Sequence, residues 1–456
     1  MQSDTSAIPA KILGPILRKL RLRTMRASIV EGAFAFVMIG LSEAFYIPYL
    51  NALGASHLQI GMGASLPALM SGLIQLIGPA ALHKSGSRRR LIVLTVVGQA
   101  LAFIPLALAW HLAPHLQVWS AIAAFVVSAT FGNLGASAWA DWMGAVVPRR
   151  RHGRYFATRN RLLGIVQISI AVLGGYLLDR AIGKVMIMFT AIWFACTFAR
   201  LVSAALFYLH YEPPVVRHPS GEHVSFLDFL RDLHATRFGI FTVATSLLSL
   251  GVNISGPFFA VHMLNNLKLS YIAYTILIVM PIASTIATIG LWGHIIDRFG
   301  SVPAIRLSAI IVCLLPLPWV VTTSYTLLLI TQIVAGFSWS GFNLATFTFY
   351  IGSLKPHERI SHIAYFNTIN FLCIFVGATL GGFIIPYLPQ VAQWQLQSIF
   401  VFSSLVRIGP AVLFQLIRHE KYKGAMNTFE RFFFDPTLTL TTTVTSSILR
   451  YFRRPL

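Results

Sequence analysis

The apolar residues of this chain are gathered into long runs rather than scattered among polar ones. Twelve runs stand out, near 27–50, 58–82, 91–112, 116–147, 161–182, 185–210, 238–264, 271–296, 302–322, 325–353, 361–389 and 394–418. A helix crossing the hydrocarbon core of a bilayer needs about 20 mostly apolar residues, so each run predicts one transmembrane helix. The fourth run is longer than that, which predicts a helix that tilts or protrudes into the cytoplasm. Between the sixth and seventh runs the pattern breaks at YEPPVVRHPSGEHVSFLDFLRDLHATR, residues 211–237. Pro, Gly, His and mixed charge mark this stretch as a linker. Its later part, SFLDFLRDL, has helical periodicity suited to the membrane surface. The expected organisation is a basic segment over 1–26, a six-helix bundle over 27–210, the linker over 211–237, a second six-helix bundle over 238–418 and a tail over 419–456. The expected fold class is an all-α polytopic membrane protein.

Composition supports that reading and narrows it. The chain has 456 residues, 56% hydrophobic and 11% charged, where a soluble domain carries about 25% charge. With a mean hydropathy of +0.72, an ordinary soluble enzyme and a disordered chain are both excluded. The net charge of +21, from 35 Lys and Arg against 14 Asp and Glu, would suit a nucleic-acid binder only in a far more polar chain, so no nucleic-acid partner is expected. In a membrane protein the excess cations mark the cytoplasmic loops. With the N-terminus inside, the outer loops hold only Arg180, Lys184 and Lys268, which places both termini in the cytoplasm. Residues 1–26 lack the long apolar region of a secretory signal. They carry Lys11, Arg18, Lys19, Arg21, Arg23 and Arg26 instead, as a segment lying at the cytoplasmic interface would; an Arg-rich transit peptide is the other reading. The Thr-rich tail ends in the basic, aromatic ILRYFRRPL and reads as disordered or as touching anionic lipid. Cys196, Cys313 and Cys373 lie singly in apolar runs, so neither a disulfide framework nor a metal site is expected.

The two sets of six runs repeat in sequence. Ser42 and Phe45 of the first run correspond to Ser255 and Phe258 of the seventh, 213 positions on. Phe131 and Gly135 match Phe337 and Gly341 at an offset of 206. AVLGG at 171–175 answers ATLGG at 378–382, and Arg200, Ala204, Leu206 and Phe207 answer Arg407, Ala411, Leu413 and Phe414, both at an offset of 207. Four ordered matches at nearly one offset indicate a duplicated six-helix unit, an architecture found in transporters.

The loop after the eighth run reads GHIIDRFGSVPAIRL, placing Gly293, Asp297, Arg298 and Gly300 in the order G-x-x-x-D-R-x-G. This resembles the signature loop of the major facilitator superfamily, which that family places between helices 2 and 3 and repeats between helices 8 and 9. The first copy here, PAALHKSGSRRRL, keeps Gly86 and Arg88–Arg90 but has Pro79 for the first Gly and His83 at the acidic position. Gly293 and Gly300 suit a close approach and a tight turn. Asp297 suits the positive end of a helix dipole, and family pseudo-symmetry points to the start of helix 5, near Arg159 and Arg161. Such a contact would hold the cytoplasmic side closed; a solvated turn is the other reading. His83 titrates near neutral pH, so the first loop is either a pH-dependent latch or one that has drifted. AWADWMG followed by VPRRRHGRYFATRNR looks like a pattern of poorly characterised bacterial members of the superfamily. Its arginines read chiefly as a topology signal, with a phosphate or lipid-headgroup site as the other reading.

Ionisable groups at bilayer depth need a partner, a wet cavity or neutralisation. Glu43 sits just outward of the middle of helix 1, which the resemblance makes cavity-lining together with helices 4, 7 and 10, and its repeat equivalent is Gly256. It is the candidate for proton coupling; a carboxyl bonded to a neighbouring helix is the alternative. Glu31, near the inner interface, is expected to pair with local arginines, and Asp141 with Arg161 or Arg154. Arg200 and Arg407 read either as structural, bonded to carbonyls or to an acid of their own half, or as receptors for an anionic solute. Asn133, Trp139, Asn253, His262, Gln332, Trp339 and Asn343 are the uncharged candidates for the cavity wall, each equally readable as helix–helix glue.

No GxxxxGK[ST], HExxH, CxxC or GxSxG occurs in the sequence, which argues against a P-loop ATPase, a metalloprotease, a thiol enzyme and a hydrolase. Helix 5 has Gly174 and Gly175 without the family's Gly-Pro antiporter step, and the family's helix-4 arginine motif is absent. The expectation is a monomeric, cofactor-free secondary transporter in a bacterial inner membrane, coupling protons to a small organic solute, an anionic one included. An efflux carrier or lipid flippase and a non-transporting membrane sensor are the competing readings.

Overall fold

The computed structural model describes residues 10–148, 151–213, 226–231, 233, 236–354 and 359–417. Twelve long helices organise it. They are α1 (Ala10–Ala52), α2 (His57–Ser85), α3 (Arg88–Leu108), α4 (Pro114–Val146), α5 (His152–Arg180), α6 (Val185–Leu206), α7 (Arg237–Ser255), α8 (Tyr271–Phe299), α9 (Ser301–Leu314), α10 (Tyr325–Ser353), α11 (Arg359–Ile384) and α12 (Leu396–Leu416). Among the described residues eleven helices are long and apolar enough to cross a membrane, and α2 is the remaining long one. Large apolar side chains such as Leu94, Phe198, Leu405 and Leu416 are more than half exposed. In water such a surface would drive association; on a bundle of spanning helices it is the face presented to lipid.

Local chemistry sets the boundaries. Ser56 and Gln59 form a capping box at the start of α2, the Gln59 side chain accepting from the Ser56 N–H and Ser56 Oγ from the Gln59 N–H. Ser87 caps α3 through the Arg90 N–H, and Thr236 caps α7 through the Gly239 N–H. Gly86 and Gly300, the shared glycines of the two signature loops, both adopt positive φ, 66° and 88°, the turn that an L side chain resists.

Three elements depart from the runs that predict them. α1 reaches back to Ala10, so much of the basic segment continues the first helix; residues 17–26 hold Leu, Arg, Lys, Met and Thr without Gly or Pro, and most of these favour helix. The seventh run breaks at Gly256–Pro257 and resumes as Phe258–Val261 and a π-helical turn, His262–Asn266. The ninth breaks at Leu315–Leu317, around Pro316, and resumes as Pro318–Val321. The side chain of His83, the central part of the linker, residues 149–150 and the tail over 419–456 lie outside the described residues.

The chain divides into two compact units, one of Met1–Pro219 with Ser270–Thr275, the other of Ser220–Leu269 with Ile276–Leu456. In the first, α1 packs on α5 and α6, and α3 on α4 and α6. In the second, α7 packs on α11 and α12, and α9 on α10 and α12. The second set is the first with six added to every number, so the weak sequence repeat is a repeat of packing. The core of the second unit is aromatic, built on Phe238, Phe241, Trp292, Phe342, Phe349, Phe366 and Phe414.

Candidate functional site

Within the first unit, α1, α3, α4, α5 and α6 line an open cavity of about 490 Å³, within the range that holds small organic ligands. Apolar walls come from Phe36, Ile39, Ile92, Val96 and Phe125. Its polar groups are Glu31, Ser42, Glu43, Gln99, Asn133, Trp139, Arg159 and Arg200.

Three of the polar groups form a charge cluster. Glu31 is buried; its Oε1 accepts from Ser203 Oγ at 2.8 Å. Arg159 Nη2 and Arg200 Nη1 each lie 3.9 Å from one of its oxygens. Arg200 is held by Gln99 Oε1 at 2.7 Å and Ser203 Oγ at 3.1 Å. The Arg159 guanidinium stacks 4.6 Å from the centre of the Trp139 ring, a cation–π contact, and its Nε donates to the Ser28 carbonyl at 3.4 Å. The backbone makes room for these side chains. A Cβ on Gly32 would stand 2.6 Å from Arg159 Nη2, one on Gly132 2.5 Å from Gln99 Nε2, and one on Gly40 2.7 Å from the Gln167 carbonyl oxygen.

That approach of α5 to α1 at Gly40 brings Gln167 to Glu43, whose Oε2 accepts from Gln167 Nε2 at 3.1 Å. Glu43 is exposed, and no cation among the described residues lies within ion-pair distance of it. Asn133 donates to Ser71 Oγ at 2.8 Å and to the Ala129 carbonyl at 3.0 Å.

The other sequence candidates lie elsewhere. Asn253 donates to the Ser249 carbonyl and Gln332 to the Leu277 carbonyl, each at 2.8 Å. His262 is buried among Trp319, Trp394 and Phe400. Trp339 packs on the core of the second unit, and Asn343 is exposed. Arg407 is buried and bonded to the carbonyls of Val312 and Val252 and to Ser255 Oγ. Asp141 pairs with Arg88 at 2.6 Å instead of Arg154 or Arg161, because Arg88 opens α3 directly against α4 while both alternatives are exposed. Asp297 and Arg298 are exposed at the end of α8, and Asp297 lines a smaller cavity of about 340 Å³ with Arg237, Gly300, Ser301 and Thr348. The space that a Cβ on Gly293 would fill is open. Gln99, Ser203 and Gln167 are site residues that the sequence did not mark. No group of His, Cys, Asp and Glu suited to a metal ion occurs among the described residues.

A duplicated unit of membrane-length helices, with a cavity carrying charged groups in its first copy, is transporter architecture, and the comparisons with known proteins agree. The sequence profile of the Major Facilitator Superfamily matches the chain twice, over residues 32–249 and 241–455. The chain belongs to the major facilitator superfamily and is a secondary transporter of that family, not an enzyme. No curated protein matches it. Among solved structures it is similar to the nucleoside transporter NupG, with a TM-score of 0.65 at 15% identity over 88% of this chain and 100% of that one. A bacterial homologue of the human lysosomal transporter Spinster, inward-facing and unoccupied, matches with a TM-score of 0.64 at 14% identity, over 87% of this chain and 97% of that one. An inward-facing bacterial homologue of the iron transporter ferroportin matches with a TM-score of 0.65 at 13% identity, over 86% and 98%. At such identities the likeness concerns the fold.

Proposed function

We propose that this transporter moves a small organic solute by alternating access, that the first-unit cavity is its solute chamber, and that Glu43 carries the coupling proton. The observation that supports this most is Glu43 itself, a carboxyl at bilayer depth, exposed in the cavity, bonded to one neutral amide and free of any ion pair among the described residues. A structural carboxylate at that depth needs a cation; one that takes up and releases a proton does not. The groups around it are Glu31, Arg159 and Arg200 in the same cavity, Tyr46 on α1, Cys196 against the Met38 carbonyl and Tyr274 against the Ala44 carbonyl. None is a cation adjacent to its carboxyl. Uptake is therefore expected to rise as pH falls through the titration of Glu43.

The cation distribution supports an orientation with both termini inside; a monomer in a bacterial inner membrane completes the proposal. Proteoliposome uptake over a solute panel, with and without an imposed pH gradient, tests the reading. Gradient-driven accumulation that Glu43→Gln abolishes is the expected result. Gradient-independent flux, or a normal gradient response in Glu43→Gln, would sink proton coupling.

A further inference from the structure

We propose that the solute of the first-unit cavity is an organic monoanion whose charged group sits against Arg159 and Arg200, beside Glu31. The inference deepens the function proposed above and rests on that cavity being the solute chamber.

It starts from a local charge count. Glu31 and Arg159 are buried, Arg200 keeps only 13% of its side chain exposed, and all three line the cavity. Two guanidinium groups face one carboxylate, which leaves one positive charge in excess. No other acid of the first unit compensates it among the described residues. Asp141 is bonded to Arg88. Glu212 accepts from Ser87 Oγ and the Arg89 N–H. Asp179 accepts from the N–H groups of Tyr271 and Ile272. Glu43 stands twelve residues along α1 from Glu31, about 18 Å along the helix axis. A buried cation without a counter-charge is costly, so this end of the cavity favours an anion.

The contacts within the cluster leave room for one. Both guanidinium groups stand 3.9 Å from Glu31, beyond direct hydrogen-bond length. Oε2 of Glu31 accepts no hydrogen bond among the described residues. The arginines are nevertheless fixed, Arg200 by Gln99 and Ser203, Arg159 by the Trp139 face and the Ser28 carbonyl. Preorganised guanidinium forks match the oxygens of a carboxylate. One charge in excess selects one negative charge on the solute. The walls, from Ala35, Phe36, Ile39, Val96 and Phe125, select an apolar body behind it.

The test uses the full chain in lipid nanodiscs and three matched probes, 4-phenylbutyrate, 4-phenylbutyramide and 4-phenylbutylamine, with thermal unfolding as readout. The acid is expected to raise the unfolding temperature saturably, the amide and amine not. Glu31→Gln keeps a partner for Ser203 and removes the competing charge, and is expected to lower the half-saturating acid concentration by about tenfold. Arg200→Lys, which keeps the charge without the fork, raises it. A purely structural cluster would show no tightening in Glu31→Gln. Equal stabilisation by the three probes, stabilisation by none, or unchanged affinity in Glu31→Gln overturns the anion seat. Counterflow of labelled probes in proteoliposomes separates the two claims. Binding of the acid without flux sinks the solute-chamber reading alone, and flux of the amide or amine in place of the acid sinks the anion seat alone.

Discussion

Arg200 and Arg407 occupy the same place in the duplicated helices α6 and α12, yet their surroundings have separated. In the second unit the Arg407 stem lies over Gly251, where a Cβ would come within 2.9 Å of its Cγ. Its guanidinium ends on the carbonyls of Val312 and Val252 and on Ser255 Oγ. In the first unit the equivalent of Gly251 is Met38, and Arg200 reaches instead to Gln99, Ser203 and Glu31. The equivalent of Glu31 is Ala244. The frame around both arginines is nevertheless the same: Cys196 donates to the Met38 carbonyl and its counterpart Ser403 to the Gly251 carbonyl. Duplication has kept the packing and let the charge chemistry diverge. One arginine closes on backbone, and the other borders a cavity beside an acid.

The strongest way to break this contrast is Arg200→Gln. It leaves Glu31 and Arg159 as a balanced pair but strips Gln99 and Ser203 of their charged partner, at an expected cost of about 2–3 kcal/mol in chemical or thermal unfolding. The double variant Glu31→Gln/Arg200→Gln leaves Arg159 buried without a counter-charge and is expected to lose more. Arg407→Leu is expected to cost about 2 kcal/mol, since the carbonyls it leaves lie within helices. It should leave the affinity for anionic probes unchanged, and a change there would erase the distinction between the two arginines. Gly251→Ala pushes on the Arg407 stem and is expected to cost about 1 kcal/mol, read in the same unfolding assay. Asp141→Asn removes an ion pair whose acid is half exposed, for less than about 1 kcal/mol; the difference from the parent should shrink at high salt.

The duplication was legible because residues such as Ser42 and Ser255 recur at fixed positions of helices that pack alike. The charge cluster was only half legible. Glu31 and Arg200 stand out as ionisable residues in apolar runs, but Glu31 reads as a residue served by nearby arginines. Its partners come from α5 and α6, more than a hundred positions away, and spacing within one helix carries no information about which neighbour a side chain faces. Gln99 and Gln167 had no signal of their own. The small residues opposite them, Gly132 and Gly40, are the only trace in sequence of the room they occupy. Asn253 and Gln332 show the converse problem. An amide that donates to a helix carbonyl and one that waits for a ligand look alike in a sequence.

The Arg407 contacts also have a mechanical meaning. One planar group rooted in α12 is tied to carbonyls of both α7 and α9. Sliding any of these helices by a turn relative to the others would strip a buried guanidinium of its acceptors. The three therefore shift together or not at all. Amide hydrogens near Val252, Val312 and Arg407 should be among the slowest of the chain to exchange, leaving to other helices whatever bending the transport cycle requires.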